Sequence, residues 1–141
     1  MPAGEDYDIA AGVDAGPGPL SPGQRTQLTR LVEQARSICG YAFAIWIGPL
    51  GEGPDGAVAQ HAGLPFASST VLVAVDPAAH RIEIVTGANV ARVLDDRTAE
   101  FAALAMKSCF VANDLVGGIR EGVLLLAEHS RHPRVLHLNN D

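Results

Sequence analysis

Asp95 and Asp96 are adjacent carboxylates at the start of a helical pattern, and of all the residues in this chain their types best suit hydrolytic chemistry. Such a pair holds a hard cation such as Ca²⁺ or Mg²⁺ through oxygen, or places a water for attack on a phosphate ester. Asp76 and Asp114 are the further carboxylates that would complete the site if the fold brought all four together. A plainer role competes at each position. An aspartate just before a helix accepts hydrogen bonds from the first free amides and is favoured by the helix dipole. Asp95 or Asp96 suits one such start and Asp114, before Leu115, another. Adjacent aspartates also point in different directions, so one ion does not readily take both.

Other chemistry has less support in the residues. His129, His132 and His137 have metal-ligand character, but a helix holding the first two together would have to run on into Pro133. His61 and His80 read as solvated positions in a loop and a turn. The glycine-rich stretch Gly48 to Gly56 lacks the GxxxxGK[ST] spacing of a phosphate loop and has no lysine nearby. Gly87-Ala88-Asn89 follows a strand pattern and offers backbone amides to an anion, without the further glycines of a dinucleotide fingerprint. No Gly-x-Ser-x-Gly occurs, and Ser68, Ser69 and Thr70 read as hydroxyls at a strand edge. Cys39 and Cys109 lie in apolar helical patterns and read as buried thiols, with no disulfide implied. Lys107 is near Cys109 in sequence but on a different helical face, which leaves that thiol unactivated.

The elements that must position these groups fit one domain of 141 residues. The net charge is −6, and Glu5, Asp6, Asp8 and Asp14 supply four of the negative charges, leaving −2 for the remainder. Lys107 is the only lysine and the nine arginines are scattered, so no basic patch is in place to neutralise nucleic-acid phosphates. No apolar run approaches the roughly 20 residues that span a bilayer. The acidic start MPAGEDYDIAAG does not read as a secretory signal, so the cytoplasm is the expected location.

Residues 1–20 read as a mobile acidic arm, 21–130 as the folded domain and 131–141 as a polar tail, with Val135 to Leu138 its one strand-like piece. Ser21-Pro22-Gly23-Gln24 is a capping-box pattern. It opens a helix with Leu28, Leu31, Val32, Ala35 and Ile38 on one face, and Gly40 is placed to end it. Tyr41 to Ile47 is an apolar strand covered on both faces. Asp55 opens a short helix through about Ala62. Thr70 to Val75 is a nearly continuous aliphatic run, which suits a central strand. The turn 76–80 joins it to the alternating strand Arg81 to Thr86 as an antiparallel hairpin, while a long crossover makes the first strand and the Thr70 strand parallel. Phe101, Ala102, Leu104, Ala105, Cys109 and Phe110 give the next helix a broad apolar face. The last helix, Leu115 to about His129, carries Leu115, Ile119, Val123 and Leu126 inward. Its Gly117, Gly118 and Gly122 mark a close approach of another backbone or tolerated early-turn residues. The fold expected is α/β, a small mixed sheet with helices on both faces.

The ordered series of a capped helix from Leu20-Ser21, an apolar strand, VLVAVDPAAHRIEIVTG, VLDD and two helices joined at Asn113-Asp114 resembles the TPM domain family over residues 20–130. That resemblance implies an αβαββαα sandwich. The family includes a plant thylakoid protein described as an acid phosphatase, photosystem-repair factors and an animal receptor-modulating protein, so it spans enzymes and interaction modules. Its recurring elements correspond here to Arg81, Gly87, the aspartates of Leu94-Asp95-Asp96, and Asp114. By resemblance, Asp95 or Asp96 with Asp114 are the candidate metal ligands, Asp76 being added from the residues alone, and Arg81 and Gly87 are the candidate ligand-binding residues. The approach to the central strand, Phe66-Ala67-Ser68-Ser69, lacks an acid, and Asn113 stands where the family commonly has glycine. Two functions follow. The first is a non-enzymatic module binding a protein partner or a small ligand. The second is a metal-assisted acid phosphatase that hydrolyses phosphomonoesters.

Overall fold

A computed structural model describes residues 21–51, 53, 55–112 and 114–131. The acidic arm, the tail beyond 131, the strand-like piece Val135 to Leu138, His132 and His137 lie outside the described residues. Helix α1 (Pro22–Cys39) opens with the expected capping box: Ser21 Oγ accepts from Gln24 N at 3.1 Å, and Gln24 Oε1 accepts from Ser21 N at 2.9 Å. Gly40 ends it at φ 88°, a left-handed conformation that only glycine adopts without steric cost.

Strand β1 (Ala42–Ile47) follows, then helix α2 (Asp55–Ala62), a single 3₁₀ turn (Ala67–Ser69), and strands β2 (Thr70–Asp76) and β3 (Arg81–Thr86). The sheet order is β1-β2-β3, with β1 and β2 parallel and β2 and β3 antiparallel. Every residue of β2 is buried, as its aliphatic run requires of a central strand covered on both faces. On one face Phe43, Ile45, Ile47, Val71, Val73 and Val75 pack with Leu28, Val32, Ile119, Val123 and Leu126 of the flanking helices. On the other, Ala44, Leu72 and Ala74 pack with Leu50 and Ala57. Each fully buried valine or leucine stabilises the fold by about 1.5–3 kcal/mol relative to exposure.

After β3 comes a four-residue helix, α3 (Ala88–Ala91), which sequence reading missed because it is too short to show a period. Helices α4 (Asp96–Val111) and α5 (Leu115–His129) then form a packed pair across the same sheet face as α1. Two expectations change here. Phe101 and Leu104 are exposed on α4, because Ala102 and Met106 turn inward instead. Gly122 is a contact glycine, but a side chain comes close there instead of a backbone: a Cβ would lie 1.9 Å from Met106 Cε. No helix among the described residues is long and apolar enough to cross a membrane.

Candidate functional site

Three of the four aspartates accept backbone hydrogen bonds, each at its own place in the fold. Asp95 is the N-cap of α4, its Oδ1 accepting from Thr98 N at 2.9 Å. That backbone bond, first among the causes, holds its carboxyl below the usual carboxylate range, with smaller help from Arg97 and His129. Asp96 is the first helical residue, exposed beside it. Asp114 is the N-cap of α5, its Oδ1 accepting from Gly117 N at 3.0 Å. A Cβ on Gly117 would lie 2.2 Å from Asp114 Oδ2, so glycine makes room for the cap. Helix α4 separates the two caps, and its 16 residues span about 24 Å. Asp76 is buried at the carboxyl end of β2, where its two oxygens accept from Leu50 N at 3.2 Å and Ala79 N at 3.3 Å. Among the described residues, no three His, Cys, Asp or Glu side chains gather to hold a metal ion. Asp76, Asp95, Asp96 and Asp114 are therefore not gathered into one site: Asp95 and Asp96 are neighbours in sequence, while Asp76 and Asp114 serve a turn and another helix start, each start needing its own acceptor.

Arg81 and Gly87 are likewise engaged within the chain. Arg81 donates to the carbonyls of Gly51 and Gly53 and pairs with Glu83 at 3.3 Å. Gly87 donates its amide to Thr70 O at 3.0 Å, and a Cβ there would lie 2.1 Å from Ala67 O. The glycine is thus required by the close pass of two backbones. His61 is a correction: it is buried on α2, and its Nε2 donates to the same Thr70 carbonyl at 3.0 Å. A lone histidine in a glycine- and alanine-rich stretch carries no sequence signal for that. Cys39 is a free buried thiol whose pKa burial pushes up, which opposes thiolate chemistry.

The concave site lies elsewhere. A cleft of about 570 Å³ runs between α1 and α5. Gln27, Arg30 and Gln34 line its α1 side at successive three- and four-residue steps, which puts them on one helical stripe. Val116 and Arg120, four apart, line the α5 side, and Asp114 with Gly117 closes one end. Leu28 and Leu31 form the floor. Among the described residues, no ion pair involves Arg30 or Arg120. Sequence reading missed this cleft because its polar residues come from helices 80 to 90 positions apart and none belongs to a motif.

A family model described as "Domain of unknown function (DUF5130)" matches residues 11–127. The chain belongs to the DUF5130 family. That span begins within the stretch read as an arm and holds every element described above except the last two residues of α5. A comparison with curated proteins gives no match. Among solved structures, the DUF5130 chain is similar to the N-terminal domain of a protein from P. gingivalis, determined by solution NMR. The TM-score is 0.72 at 18% identity, over 90% of this chain and 85% of that one, which establishes a shared fold.

Proposed function

We infer that this DUF5130 domain is a non-enzymatic binding module of TPM type, and that the α1–α5 cleft is where it takes its partner. The observation that carries the reading is that Asp76, Asp95 and Asp114 accept from backbone amides and no three metal-ligating side chains gather among the described residues, while Arg30 and Arg120 line one cleft and enter no ion pair among the described residues. A carboxylate can accept a cap hydrogen bond and still ligate an ion through its other lone pairs, so what weighs against a metal site is that these aspartates do not gather, whereas a guanidinium facing a cleft can recruit a ligand without disturbing the fold. The TPM assignment rests on the ordered strand–turn–strand and VLDD series, and the shared fold of the P. gingivalis domain is compatible with it.

The test is capture and turnover on the same preparation. The folded chain as bait recovers a consistent partner at physiological salt, and Arg120→Glu loses it while melting as wild type does. Failure to recover a partner removes the reading. So does hydrolysis of p-nitrophenyl phosphate that depends on Mg²⁺ or Ca²⁺ and disappears in Asp96→Asn.

A further inference from the structure

We propose that the α1–α5 cleft recognises an acidic peptide segment of a partner protein, with an apolar side chain seated between glutamates or aspartates. This rests on reading the chain as a binding module and names the chemistry of what it binds.

The lining decides the class. Arg30 on α1 and Arg120 on α5 place two permanent positive charges in one cleft. Guanidinium groups match carboxylates with two parallel hydrogen bonds, so a pair of them selects a segment with at least two acids. Gln27 and Gln34 flank Arg30, each one helical step away. Their carboxamides both donate and accept, which suits the alternating N–H and C=O groups of a peptide backbone and is not needed for a small anion. The floor of Leu28 and Leu31 with Val116 beside it is apolar and favours a leucine-like side chain over a purely charged ligand. Asp114 sets the direction. Its carboxylate at one end repels an acid placed there, so the acidic residues lie toward Arg30 and Arg120.

Charge balance makes the cleft distinctive. Four of the six net negative charges lie in residues 1–20, so the rest of the chain, at −2, offers an acidic segment no net attraction. A cleft with two guanidiniums that enter no ion pair among the described residues is then a local exception, which gives selectivity of place as well as attraction. The chain's own residues 1–20 contain four acids and no base, so they are the competing occupant by charge.

The experiment follows the ¹⁵N-labelled full chain by NMR during titration with a blocked synthetic peptide carrying glutamates on either side of a leucine. The same peptide with glutamine for glutamate, and inorganic phosphate, are run in parallel at about 0.15 M ionic strength. Saturable shifts at Gln27, Arg30, Gln34 and Arg120, absent with the glutamine peptide, are expected. Arg30→Gln with Arg120→Gln should weaken binding about tenfold or more, since each loses a charge-assisted hydrogen bond. Wild-type melting of the double variant shows that the loss is not unfolding. The proposal is overturned by no binding, by equal binding of the glutamine peptide, or by unchanged affinity in the double variant. It is also overturned if phosphate alone reproduces the shifts, which would make the cleft a simple anion site. Tighter peptide binding after Glu5→Gln, Asp6→Asn, Asp8→Asn and Asp14→Asn would support it, showing that the chain's own acidic segment competes for the same cleft. If the glutamate peptide fails while the folded chain still captures a partner, the module reading stands and this one falls.

Discussion

Asp76 and Arg81 sit directly opposite one another across the β2–β3 hairpin, yet both are spent on the same loop. Asp76 Oδ2 accepts from Leu50 N at 3.2 Å, and Arg81 Nη2 donates to Gly53 O at 2.7 Å. A hairpin register thus becomes a clamp on the loop after β1, whose glycines have no side chains to anchor it. Replacing Asp76 by alanine leaves the buried Leu50 amide without its acceptor, so it should cost about 1–3 kcal/mol in urea unfolding. Arg81→Ala, acting at a more exposed site, should cost less but raise hydrogen exchange in residues 48–51. A loop that exchanges as wild type does in both variants would show that the clamp is not what orders it.

Asp114 and Gly117 make a coupled pair at the start of α5. Asp114→Ala removes the N-cap and should lower stability by about 1 kcal/mol. Gly117→Ala in the wild-type background forces a Cβ against the Asp114 carboxylate and should also destabilise. In the Asp114→Ala background the obstacle is gone, and the same substitution should stabilise by roughly 0.5–1 kcal/mol, the helix preference of alanine over glycine. The sign change in a double-mutant cycle is the measurement.

Asp95 gives a pH prediction with a definite sign. Its carboxyl is held below its usual range by the Thr98 amide, so the folded state favours the ionised form. The stabilisation is present above the ordinary aspartate pKa of about 4 and is lost as pH falls through the lower folded value. Asp95→Asn, which keeps a capping oxygen but does not ionise, should flatten the dependence of melting temperature on pH in that acid range. An unchanged acid limb would assign the dependence to other carboxylates.

Phe66 carries two penalties at once. It has φ 58° and ψ 36°, a left-handed conformation costly for a bulky residue, and it is 74% exposed. Its carbonyl holds it there by accepting from Ser69 N at 2.9 Å and Thr70 Oγ1 at 2.8 Å. Asparagine tolerates that backbone and loses no buried contact. Phe66→Asn should therefore raise stability by about 1 kcal/mol, read as a higher urea midpoint with an unchanged slope.

The capping box at Ser21, the left-handed Gly40, the aliphatic β2 and the hairpin were legible because each is a local rule written in consecutive residues. The structure agrees with all four. Inward residues of α4 were less legible. Phe101 and Leu104 share an apolar pattern with Ala102 and Met106, and only the neighbouring sheet and α5 select which stripe turns inward. His61 was read as solvated for the same reason, since its hydrogen-bond partner is a backbone carbonyl on another element.

By itself, the order of residues determined the longer elements, the parallel and antiparallel pairings of the sheet, and a capping role for Asp114 and for one of Asp95 and Asp96. Periodicity, caps and connection length act over short stretches of chain, and so they can be read without a fold. Only the tertiary structure decided that no three of the four aspartates gather and that Arg30 and Arg120 line one cleft. Convergence depends on how helices distant in sequence are laid side by side, and no local preference of either helix encodes that.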